Sequence, residues 1–140
     1  MQISTSPSRV TRVTVALIVV VQVVLGLIFV LSPAMFASLL GLPPAPAWTD
    51  WMFAMLGARA FGFAYGMVIA LRDIRRHASW FTAMIVVQAI DWIATMIALQ
   101  EGKVTLQQVS SAAFLPVLFV AVLAAELLRQ RSNADSQEAR

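Results

Sequence analysis

Two charged residues lie deepest in the apolar runs of this 140-residue chain, Arg59 and Asp91. A charge at mid-membrane costs about 2.5–3.5 kcal/mol on insertion scales, so an ionisable group there marks a pair, a ligand site or an ion pathway. Two amides, Gln22 and Gln88, lie in comparable runs. These four residues form the candidate polar cluster. Arg59 follows Trp51 by eight residues, and Asp91 precedes Leu99 by eight. In neighbouring antiparallel helices both would lie about 12 Å from the same boundary, at 1.5 Å rise per residue. That matched depth predicts a salt bridge between Arg59 and Asp91. Helical periodicity puts Asp91 on one face with Met84, Gln88, Thr95 and Ala98, and Arg59 with Met52, Met55, Gly62, Phe63 and Gly66. Gln22, with Gly26 one turn on, is expected to point inward, toward Arg59 or Gln88.

Other chemistries find less support. There is no cysteine, which excludes disulfides, thiolate metal sites and thiol redox chemistry. The one histidine, His77, falls in a polar loop among arginines, and no apolar run holds a histidine for haem. No nucleophile–base pair, metal cluster or phosphate loop stands out, so neither a catalytic role, a metal nor a cofactor is expected. Glu126 precedes Arg129 by three residues near a boundary, where an ion pair is expected. The basic run Arg72, Arg75 and Arg76 suits anionic headgroups, as any loop of that charge would.

The elements that position these residues follow from composition. Of the residues, 60% are hydrophobic and 12% charged. Soluble domains have about a quarter charged, so lipid is the expected surroundings. Apolar runs over residues 13–31, 51–71, 79–99 and 112–128 are each long enough, at about 20 residues, to cross a bilayer. The first is too long, and lacks the small-residue site, for a cleaved signal peptide. The expected fold is all-α: a four-transmembrane-helix bundle with a short interfacial helix after the first span. That short helix has Ser32 as cap, Pro33 in its first turn and Gly41 as stop. Pro43, Pro44 and Pro46 then force an extended stretch, and Trp48, Trp51 and Trp80 suit membrane–water boundaries. Thr105 and Gln108 form a capping box that starts the fourth helix near Leu106, and Pro116 is expected to bend it. Residues 1–12 form an N-terminal segment, residues 13–129 the membrane domain, and residues 130–140 a disordered tail.

The second span also holds a ladder of small residues at four-residue spacing, Ala54, Ala58, Gly62, Gly66 and Ala70. Such ladders let helices approach closely where lipid offers no hydrophobic drive. Charge then sets orientation. With four spans, Arg9, Arg12, Arg72, Arg75, Arg76, Arg129, Arg131 and Arg140 share one side, and Lys103 stands alone on the other. Eight against one places both termini in the cytoplasm by the positive-inside rule.

An arginine-flanked first helix, then Leu31-Ser32-Pro33 with Phe36, then Leu40-Gly41-Leu42-Pro43 and Leu56-Gly57-Ala58-Arg59, resembles the DoxX-like group of small four-helix bacterial membrane proteins. The likeness covers about the first half of the chain. It implies a four-helix fold and a bacterial inner membrane. The group includes subunits that accompany quinone-linked oxidoreductases and many proteins without an assigned role.

Three functions remain open on the residues. The first expectation is a non-catalytic accessory or structural subunit that meets another membrane protein or a second copy of itself. The second is a binder of a small apolar ligand, a quinone or a lipid, held by its polar end on Gln22, Arg59, Gln88 and Asp91. The third is transport or proton relay through Asp91 in an oligomer. The bilayer itself is the expected surroundings in each case, and nucleic acid is not an expected partner.

Overall fold

The computed structural model describes residues 7–138. Within them the chain is all-helical: α1 (Arg9–Leu31), α2 (Pro33–Leu39), α3 (Thr49–Arg72), α4 (Ala78–Gln100) and α5 (Leu106–Glu138). The helices α1, α3, α4 and the Leu106–Ser136 part of α5 are each long and apolar enough to cross a membrane. Helices suit that setting because every backbone polar group is satisfied within its own segment.

The helix ends follow local rules. Ser8 caps α1, its hydroxyl accepting the Thr11 amide at 3.0 Å. The helix therefore starts four residues before the apolar run and takes in both Arg9 and Arg12. Proline disfavours helical backbone in the residue before it, and α1 stops at Ser32, ahead of Pro33. Ser32 is the N-cap residue of α2 with Pro33 in the first turn, as expected, though its side chain makes no capping hydrogen bond; its backbone N–H donates to the Ile28 carbonyl of α1 at 2.9 Å. Gly41, at φ 63°, closes α2: the Leu42 amide reaches Ala37 at 2.9 Å and the Gly41 amide reaches Ser38 at 3.0 Å. This is a Schellman arrangement. Gly102, at φ 68°, ends α4 in the same way, with Lys103 to Ala98 at 2.9 Å and Gly102 to Leu99 at 3.1 Å.

The capping box of α5 forms. The Thr105 amide donates to Oε1 of Gln108 at 2.8 Å, and the Gln108 amide donates back to Oγ1 of Thr105 at 3.4 Å. The irregular backbone of α5 is at Val109, with φ −117° and ψ 22°, seven residues ahead of the expected bend at Pro116. The expected disordered tail is helical as far as Glu138. Propagation adds a bond for each residue fixed. Side chains join in: Nε2 of Gln130 donates to Oε1 of Glu126 at 2.8 Å, and Oγ of Ser136 donates to the Ser132 carbonyl at 2.8 Å. Residues 139 and 140 and residues 1–6 of the N-terminal segment lie outside the described part.

Two helix pairs dominate the packing, α1 along α3 and α4 along α5, with much less contact between α3 and α4. The beginning of α1 meets the end of α5, so both described termini share one end of the bundle. Toward that end the interior is solid: Val15, Ile18, Met67, Phe81, Met84 and Leu123 are fully buried in one cluster. Large apolar side chains such as Val24, Leu27 and Ile93 stay exposed on the outer faces, as lipid-facing positions should.

Candidate functional site

The end of the bundle away from the termini is hollow. A cavity of about 760 Å³ lies there, lined by residues of all four long helices and of α2. Its floor is the buried cluster, reached at Phe119. Phe36, Leu40 and Leu42 line it from α2 and the turn that follows. Most of the wall is apolar, as in ligand pockets generally, which combine an apolar lining with a few placed polar groups.

Those polar groups include Gln22 from α1, Arg59 from α3, and Gln88 and Asp91 from α4, all on the one cavity. Arg59 and Asp91 do not form the expected salt bridge. Among the described residues the ion pairs join Lys103 to Glu101 and Arg129 to Glu126. The reason lies in the packing. Helix α3 packs chiefly along α1 and much less against α4, where the Trp80 ring lies over Gly66. Farther on, the cavity comes between them. Arg59 and Asp91 line the cavity from α3 and α4, and both are exposed. Gln88 is 8% exposed and has one weak contact, Nε2 to the Met84 sulfur at 3.6 Å. Thr95, one turn beyond Asp91, also lines the cavity, though its hydroxyl is engaged by the Asp91 carbonyl at 2.8 Å.

Three aromatic rings gather at the α2 side of the cavity. Phe29 and Phe36 meet edge to face at 4.9 Å, and Phe53 lies 5.4 Å from Phe29 and 6.0 Å from Phe36. They come from α1, α2 and α3, so they tie the short helix to the bundle. Sequence reasoning left this cluster out. The signal available was a phenylalanine near the end of α1, one in α2 and one near the start of α3, brought together by the chain reversal at Ser32-Pro33.

The small-residue ladder does not form one seam. Gly66 and Ala70 are buried and Ala54 is half-buried, but Ala58 and Gly62 are exposed, and a methyl at Gly62 would meet nothing within 4 Å. Four-residue steps advance about 40° each around a helix of 3.6 residues per turn, so the ladder winds off any single face. The buried face of α3 instead runs through Gly57, Ala60, Ala64 and Met67. At Gly57 a Cβ would come within 2.9 Å of the Gly26 carbonyl oxygen and 2.7 Å of Val30. Gly57 thus lets α1 and α3 cross closely beside the cavity.

At the opposite end a second polar group is fully built. Glu126 is 3% exposed. Its carboxylate accepts from Thr11 Oγ1 at 2.8 Å, from Gln130 Nε2 at 2.8 Å and from the Arg129 guanidinium at 2.6 Å. The ion pair with Arg129 matches expectation. The burial and the link to Thr11 on α1 do not follow from an i,i+3 pattern, because Thr11 is 115 positions away in the chain. No three residues among the described His, Asp and Glu form a set able to hold a metal ion.

Set against known protein families, curated proteins and solved structures, the chain matches none.

Proposed function

We propose that this is a multi-pass membrane protein that binds a small, largely apolar molecule drawn from the bilayer. One observation supports this above the others: an apolar cavity of about 760 Å³ holds two charged side chains, Arg59 and Asp91, that form no ion pair among the described residues. Uncompensated charges at mid-span are costly, and a ligand with a polar group offsets that cost. The reading places both termini in the cytoplasm of a bacterium, across the inner membrane. Support comes from the seven described arginines of the termini end, Arg9, Arg12, Arg72, Arg75, Arg76, Arg129 and Arg131, against Lys103 at the other. It also places α2 at the opposite interface beside Trp48 and Trp51, and it keeps the DoxX-like resemblance as the proposed kinship. Against transport stands the packed floor of Met67, Phe81 and Leu123, which closes the cavity toward the termini.

The test is extraction in a mild non-ionic detergent followed by native mass spectrometry. The wild type should retain a small molecule that organic solvent removes. Ala112→Phe, which puts a ring into the cavity wall, should elute as folded protein without it. A wild type that retains nothing would sink the reading.

A second reading, an accessory subunit, has a different observation in its favour. Ala58, Gly62 and Tyr65 lie on one uncovered face of α3, and Tyr65 is 67% exposed with no partner for its hydroxyl among the described residues. A partner helix would pack on the small residues and take up that hydroxyl. Gly62→Leu should then release a co-purifying protein while leaving the bundle intact, and loss of nothing on that substitution speaks against the subunit role.

A further inference from the structure

We propose that the ligand is a single-chain amphiphile with a zwitterionic head, an anionic group that meets Arg59 and a cationic N–H donor that meets Asp91. This rests on the ligand-binding reading and narrows it to a chemical class.

Size sets the first limit. A cavity of about 760 Å³ falls within the range of small-molecule sites, about 300–1,000 Å³. That suits one medium to long chain with a compact head. A two-chain lipid would leave most of one chain outside.

Charge sets the second. Arg59 offers five N–H donors and no acceptor, and the Asp91 carboxylate offers only acceptors. They stand on different helices, facing one cavity, with no ion pair between them. A plain fatty acid would satisfy Arg59 and bring a second anion to Asp91. A plain alkylamine would satisfy Asp91 and repel Arg59. A hydrocarbon would leave both desolvated and unpaired. Only a head with both signs completes both groups at once. Gln22 and Gln88 each donate and accept, so they accommodate either half of such a head without favouring one sign. The rings of Phe29, Phe36 and Phe53 lie toward α2, where they give the chain an apolar path away from the charged band.

The experiment compares four single-chain probes on detergent-purified full-length protein by native mass spectrometry and thermal shift: a lysophosphatidylethanolamine, a lysophosphatidylcholine, a fatty acid and an alkylamine. The wild type should bind the lysophosphatidylethanolamine at least about tenfold more tightly than the fatty acid or the alkylamine. The choline head, with no N–H to give Asp91, should fall between. Arg59→Gln should turn the preference toward the alkylamine, and Asp91→Asn toward the fatty acid. If the wild type binds single-chain probes without regard to head charge, the zwitterion class is overturned and the binding reading survives. If it binds none of the four, the amphiphile class is overturned, and the binding reading is then decided by whether the wild type retains a molecule on extraction. The wild-type ranking needs no variant, so a misfolded Arg59→Gln or Asp91→Asn protein leaves that result standing.

Discussion

Gly57 and Gly62 show how far residue type alone falls short of role. Both are glycines of α3, five positions apart. Gly57 faces the Gly26 carbonyl and Val30 across the α1–α3 contact, and Gly62 faces open space. Gly57→Ala should destabilise the bundle by about 1–3 kcal/mol, the range for overpacking, whereas Gly62→Ala should cost nothing measurable. Denaturant unfolding in bicelles checks both, and equal effects would contradict the packing described here. Glu126 provides a second residue-scale prediction. Glu126→Ala removes the acceptor shared by Thr11, Gln130 and Arg129. It should cost about 2–3 kcal/mol, mostly through the buried hydrogen bonds, because the half-exposed Arg129 side chain is screened. Glu126→Gln keeps a carbonyl oxygen and should lose about half as much. At this scale the sequence reveals which side chains are out of place in lipid: Gln22, Arg59, Gln88 and Asp91 are all recognisable as polar groups in apolar runs. Their pairing is not recognisable, because depth along a helix is written in the sequence and the lateral distance between helices is not.

Individual helices are where sequence and structure agree best. The long helices, the stops at Gly41 and Gly102 and the capping box at Thr105 and Gln108 rest on bonds within a few residues, and a local pattern records them. Partner choice is different. A helix that is apolar around most of its circumference has no strong stripe to announce its neighbour. The preference of α3 for α1 over α4 therefore had to be seen, and with it the missing Arg59–Asp91 bridge. The cysteine-free chain makes this testable. A Phe29→Cys/Gly57→Cys pair, whose Cβ atoms would stand 3.3 Å apart, near the spacing of a disulfide, should oxidise readily. An Arg59→Cys/Asp91→Cys pair should require a longer bifunctional reagent, and its spontaneous oxidation would show that the two walls meet. The helical end of α5 was hidden for a related reason: its polar residues resemble a tail, and the Gln130–Glu126 bond appears only once α5 is formed.

The whole molecule has two unlike halves, a solid one at the termini and a hollow one at α2. The charges of the loops and termini divide the same way, with Arg9, Arg12, Arg72, Arg75, Arg76, Arg129 and Arg131 at the solid end and Lys103 at the other. Single cysteines at Ser8 and Arg131 should react with an impermeant thiol reagent from the same side of a sealed vesicle, and one at Gly102 from the opposite side. Labelling of Ser8→Cys and Arg131→Cys from different sides would rule out four spans. The contact between Thr11 and Glu126 has a consequence for how the protein is made. A ribosome releases α1 first and α5 last. The α1–α3 pair is available early, whereas the hydrogen bond that joins Thr11 to Glu126 spans 115 residues and waits for nearly the whole chain. The hollow has walls on all four long helices, so it comes into being only when the second pair docks on the first. A chain that stops before α5 would leave Arg59 and Asp91 without the chamber that α5 completes.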